Sequence, residues 1–147
     1  MQEEIAAQRR ELTQLRRDLA RYTFDDMLTK LEEINGVKTL VTQLSDMPMD
    51  TLREMSDWFR GKVKSGVFVA GSDLDGRPQL MVAVTDDLTK QGLHAGNIIR
   101  EVAQVVGGGG GGRPNMAQAG GKDSSKLPEA LDKARELIAQ GAQGNGK

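Results

Sequence analysis

A run of six glycines, Gly107–Gly112, constrains this chain more than any other feature; Arg113-Pro114-Asn115-Met116-Ala117-Gln118-Ala119-Gly120-Gly121 follows it. Glycine brings no side chain to a core and weakens helix and strand alike. Ordering six in succession costs conformational entropy that packing or a bound partner must offset. A flexible linker is the plain alternative, but such linkers are serine-rich and apolar-poor. Here no serine follows the glycines until Ser124, and Met116, Ala117 and Ala119 lie inside the stretch. Gly107–Gly121 therefore reads as an ordered, glycine-lined surface loop whose bare backbone another molecule can approach.

Two phosphate motifs fail there. A Walker-type loop ending at Gly121-Lys122 needs glycine at Met116 and a hydroxyl at Asp123. Gly-x-Gly-x-x-Gly is matched trivially by six glycines, and the strand-then-helix context it requires is reversed. Neither is a nucleotide pocket.

Charge and composition narrow the functions further. Twenty lysines and arginines against 21 aspartates and glutamates exclude a strongly basic nucleic-acid binder, so any RNA contact rests on a local patch or on shape. With no cysteine, disulfides and thiolate metal sites are excluded; with His94 as the one histidine, histidine metal clusters and relays fall away too. No nucleophile, base and orienter can be assembled, so no catalytic residue and no metal ligand is assigned. Neither a signal peptide nor a membrane span is evident, which makes the cytoplasm the expected location. A chain that opens within a helical pattern reads as a piece of a longer protein.

In order, residues 3 to about 33 predict one helix. Ile5, Gln8, Leu12, Leu15, Leu19 and Tyr22 alternate in threes and fours, the a and d positions of heptads, with Arg9 and Arg16 at e and Glu4 and Glu11 at g. Ile5, Leu12, Leu15 and Leu19 are thus the candidate oligomerisation seam. The arginines of this segment are nearly balanced by Glu3, Glu4, Glu11 and Asp18, which favours a solvated charged face over an RNA contact. After Tyr22 the phase shifts to Phe24, Met27, Leu28, Leu31 and Ile34, where the helix should dock. Asn35-Gly36 is expected to stop it. A strand over 37–44, a turn at Asp46-Met47-Pro48 and a helix capped by Asp50 or Thr51 follow, its apolar face Leu52, Met55, Phe59 and Val63. Trp58 beside that face is expected to pack in the core.

Val67–Gly71 and Leu80–Val84 predict a hairpin through Asp75-Gly76. Asp86-Asp87 suits a helix start better than acid–base chemistry. His94 suits a surface or capping place before a helix over 95–106. Ser124 or Ser125 should cap a last helix with Pro128 in its first turn, and Gly141–Lys147 should be a frayed tail. The expected architecture is α/β (α+β): a helical arm over 1–34, then a globular unit over 35–147 in which helices pack on a small sheet.

The blocks INGVKTLVTQL, SGVFVAGS and LHAGNIIREVAQVVGGGGGGRPNMAQAGG, in that order, resemble the C-terminal domain of bacterial alanyl-tRNA synthetases over essentially the whole chain. That domain belongs to a wider class of nucleic-acid-binding modules also found on DHH-type phosphoesterases. Those relatives typically carry a histidine after the glycines; Arg113 stands there, favouring the synthetase branch. The resemblance implies a domain that grips the elbow of alanine-specific tRNA and joins the aminoacylation and editing domains on one tRNA. It implies ATP and zinc only in those other domains and no cofactor here, and self-association through the helical part in some members.

The candidate contact surface is the amides of Gly108, Gly109, Gly110, Gly111 and Gly112, flanked by Arg100, Arg113, Lys122 and Lys126 with Asn115 and Gln118 as donors and acceptors. Structured RNA is read largely by shape, stacking and 2′-hydroxyls, which suits a bare loop with a few cations. Two alternatives stand beside it: the nucleotide- or nucleic-acid-binding half of a DHH phosphoesterase, and a purely structural oligomerisation module with the glycines as linker.

Overall fold

The computed structural model describes residues 2–45 and 47–145, and not the side chains of residues 2–5, 45 and 142–145. A six-stranded mixed sheet lies between two helical layers. Its strands are β1 (Glu32–Ile34), β2 (Val37–Ser45), β3 (Val67–Leu74), β4 (Arg77–Val84), β5 (Gly109–Gly112) and β6 (Met116–Gly120), in the spatial order β1-β2-β3-β4-β6-β5. β2 and β3 run parallel, joined by α2 (Met49–Lys62) as crossover, and every other pair is antiparallel. Two two-residue turns set the hairpin registers. Asp75 and Gly76 take positive φ between β3 and β4, as the Asp-Gly pair predicts.

Alternation along β3 and β4 divides the core. Val69 and Val82 meet Ile99, Val102, Leu127, Ala134 and Ile138 of α4 (Ala95–Val105) and α5 (Leu127–Asn145) on one face. Phe68 and Met81 meet Phe24, Leu52, Met55 and Phe59 of α1 (Gln2–Leu28) and α2 on the other. Both faces of these strands are buried, which explains their near-continuous apolar runs. The short helix α3 (Asp86–Lys90) opens with Asp86-Asp87, as expected.

The arm α1 is exposed from Ala6 to Leu19, and only its last turns enter the core, through Ala20, Phe24 and Met27. The phase shift after Tyr22 is this docking point. Arg21 lies 4.8 Å from the centre of the Trp58 ring, and Phe24 meets that ring edge-on at 5.7 Å. Trp58 is half-buried, a clasp between arm and α2 more than a core residue.

Several local expectations need correction. The first helix ends at Leu28, not near 33, because residues 32–34 pair with β2. Asn35-Gly36 is the turn of that hairpin; both residues take positive φ, the geometry also suited to a helix stop. Neither Asp50 nor Thr51 caps α2: it starts from Pro48, whose carbonyl accepts from Thr51 and Leu52, and Val63 lies just past its end. Of the turn expected at 46–48, Asp46 lies outside the described residues. Asp123, not Ser124 or Ser125, opens the last helical segment, accepting from the Ser125 N–H at the head of a 3-10 turn, Ser124–Lys126. α5 continues to Asn145 where a frayed tail was expected, and Gly141 lets it approach Leu93: a Cβ there would lie 2.6 Å from that side chain. Gly146 and Lys147 lie outside the described residues.

Candidate nucleic-acid interface

The glycine stretch is a hairpin, not a loop. α4 ends as Gly107 turns to φ 72°, and the Gly108 N–H donates to the Ala103 carbonyl. This is how a glycine closes a helix. Gly109–Gly112 then forms β5 against β6, and Arg113-Pro114-Asn115 makes the turn, the Arg113 N–H donating to Met116 O at 2.8 Å. Strand propensity argues against four glycines. Pairing with β6 and packing on α4 override it, because close approach is what this position demands. A Cβ on Gly108 would strike the Gly120 carbonyl, one on Gly110 would strike Ala119, and one on Gly112 would lie 2.6 Å from Met116 O.

Gly109 and Gly111 differ. Their missing side chains would project into open space, with nothing within 4 Å, and neither has positive φ. Neither a Cβ clash nor a positive φ requires glycine at these two places. They lie on the side of the sheet where Gln118 faces α2; the Arg53 guanidinium donates to Gln118 Oε1 at 2.9 and 3.2 Å.

A hollow of about 360 Å³ opens there, bringing together Gly111, Gly112, Arg113, Asn115 and Gln118 with Arg60. Arg60 gives one terminal nitrogen to Asp57 at 2.7 Å, while its Nε is buried without a hydrogen-bond partner. Neither Arg53 nor Arg60 stands out in the sequence. Their spacing puts them on one face of α2, but nothing in the sequence says that this face adjoins β6.

The remaining candidates lie elsewhere. Arg100 lines a separate hollow of about 490 Å³ with His94, Asn97, Glu101 and Gln104. His94 caps α4, its Nδ1 accepting from the Asn97 N–H at 3.2 Å. Lys122 follows β6 at the opposite end from Arg113, its N–H donating to the Val106 carbonyl, and Lys126 is exposed in the 3-10 turn. Of the expected seam, Leu12, Leu15 and Leu19 are 50–60 % exposed on the arm, and the Ile5 side chain lies outside those described. Among the described residues no three His, Cys, Asp or Glu side chains gather as a metal would require, and no helix is long and apolar enough to cross a membrane. Hydrogen bonds from Ser65 and then Thr85 hold the Asp87 carboxyl below its ordinary value.

Comparison with known proteins agrees with this fold. The model of the DHHA1 domain matches residues 36–140. Alanine–tRNA ligase of Pelotomaculum thermopropionicum is 53% identical over 82% of this chain, and that of Acetivibrio thermocellus 49% over 92%. The matched regions amount to 14% and 15% of those relatives' own lengths. The crystal structure of the C-Ala domain from Aquifex aeolicus alanyl-tRNA synthetase superposes with TM-score 0.70 at 28% identity, covering 74% of this chain and 97% of that one. With the family model matched over most of its length, this chain belongs to the DHHA1 domain family.

Proposed function

We propose that this chain is the tRNA-binding C-terminal domain of an alanine–tRNA ligase and that it grips the elbow of alanine-specific tRNA. The observation that carries the reading is the bare face at Gly109 and Gly111, where neither a Cβ clash nor a positive φ requires glycine. A flat partner, such as an exposed base pair with its riboses, can lie on such a surface without meeting a side chain. Arg113 and Asn115 at the hairpin turn then supply a charge and a hydrogen-bonding amide at its margin. Gly108, Gly110 and Gly112 serve the hairpin's own packing, and Gln118 is shared with Arg53. Arg100, Lys122 and Lys126 are outer contacts in this reading.

Held on the elbow, the domain joins the aminoacylation and editing domains on one tRNA in the cytoplasm. ATP and zinc belong to those domains, and this chain binds tRNA without a cofactor. The arm adds a homodimer contact through Ile5, Leu12, Leu15 and Leu19. The test is an anisotropy titration with folded alanine tRNA, a transcript whose D-loop/T-loop corner is disrupted, and one with an altered anticodon. Loss of binding on corner disruption alone is expected; equal binding to all three would overturn the elbow assignment.

A further inference from the structure

One end of the sheet carries more positive charge than the hairpin accounts for. The registers Thr39–Val67, Val67–Val84, Ala83–Met116 and Ala117–Gly112 put the starts of β2, β3 and β6 and the ends of β4 and β5 in one row. The C-terminal end of α2 joins that row, since the Gly66 carbonyl just beyond it accepts from the Thr85 N–H. The hollow at Gly111 and Arg113 shares Arg60 with a second hollow of about 530 Å³. The second shares Lys64 with a third of about 460 Å³, which Lys38 and Lys62 also line. Together they form a furrow from the hairpin turn to β2. Four strand spacings make it roughly 20 Å long.

Charge is distributed unevenly along it. Asp57, Asp86 and Asp87 line the middle hollow, where they would repel phosphate. No carboxylate lines the third; Glu33 stands opposite Lys38 where β1 pairs with β2, but the three lysines are exposed and in no ion pair among the described residues. Lys62 complements the C-terminal dipole of α2, but Lys38 stands on β2 and Lys64 beyond the helix, so the dipole does not explain the group. In a chain with formal net charge −1, three ammonium groups around one hollow form a local field suited to phosphate oxygens.

We infer that an RNA lying on the glycine hairpin continues across this end of the sheet, and that Lys38, Lys62 and Lys64 hold its phosphates. The inference rests on the RNA-binding reading above and adds a second anchor to it. Contact falls at the two ends of the furrow, with the acidic middle spanned. Two separated anchors orient the RNA on the domain, which a single flat contact cannot do.

The experiment is a salt-titrated anisotropy measurement with a folded alanine tRNA transcript. It compares the unsubstituted chain, Lys38→Gln/Lys62→Gln/Lys64→Gln, Gly111→Val, and a control, Lys90→Gln/Lys133→Gln, with thermal melts on each. The triple variant should melt like the unsubstituted chain, bind about tenfold or more weakly at low salt, and lose about 2 from the slope of log K against log salt, since each phosphate contact carries roughly 0.7–0.9. The control should change neither. If the triple variant keeps affinity and slope while Gly111→Val binds poorly, the lysine anchor is wrong and the hairpin reading stands. An equal loss in the control reduces the effect to general charge and also overturns the anchor. If Gly111→Val binds as well as the unsubstituted chain, the hairpin reading fails and the continuous path falls with it.

Discussion

Gly110 and Gly111 are consecutive in β5, yet a side chain on the first would collide with Ala119 of β6 while one on the second would touch nothing within 4 Å. Alternation along a strand separates two duties within one glycine run. Gly110→Val should lower stability by about 1–3 kcal/mol through overpacking. Gly111→Val should leave the melting temperature nearly unchanged and still weaken tRNA binding. Melts with anisotropy titrations of both variants check this. A folded Gly111→Val that binds at full strength would make the open face incidental.

Arg113 is exposed at the hairpin turn, and only its main chain bonds to Met116. Arg113→Ala should therefore preserve the fold and remove one charge-assisted contact, worth about 1.5–3 kcal/mol if made to an ionised phosphate. The loss should be largest at low salt. An unchanged affinity with an unchanged melt would take Arg113 out of the interface.

How much of this was legible beforehand differs from element to element. The hairpin at Asp75-Gly76 and the helix ending at Val105 follow from turn chemistry and apolar spacing, both local. The docking of α1 was visible as the change of phase between Tyr22 and Phe24. The strand Gly109–Gly112 was not, because four glycines carry no pattern of two; their pairing comes from Met116–Gly120 and the helix beneath. Asn35-Gly36 misled for a different reason. A helix stop and a tight hairpin turn both require positive φ, and only the pairing of Glu32–Ile34 with Val37–Thr39 decides between them. Arg60 is a candidate only because the crossover places α2 beside β6.

The exposed leucines of the arm invite a self-association test. Leu12→Asp with Leu15→Asp should leave the melting curve of the globular unit in place, since neither side chain touches the core. Sedimentation of the unsubstituted chain at high concentration should show a species twice the mass of the variant. A monomer in both cases would remove the seam.

Asp87 makes acid stability testable. Its folded carboxyl sits below the ordinary aspartate value of 3.8 because the Ser65 and Thr85 hydroxyls bond to the ionised form. A depressed carboxylate stabilises the fold above its unfolded value, and that contribution fades as pH falls through the folded one. Asp87→Ala should thus melt lower than the unsubstituted chain at pH 7, and the gap should narrow below about pH 3.8. A gap of constant size from pH 7 to pH 2.5 would show that packing, not ionisation, is responsible.

The docking of α1 through little more than its last turns has a mechanical consequence. Twenty-seven residues of helix form a rod of about 40 Å, clamped at one end by Phe24, Met27 and Trp58. Such a rod converts angular position into reach: one residue inserted before Ala20 turns everything outboard by roughly 100° and advances it about 1.5 Å. Seven inserted residues bring the outboard part back to within about 20° of its bearing, displaced by about 10 Å. The arm thereby fixes the compass heading of the glycine face relative to its own outer turns, and the unit of that adjustment is the heptad.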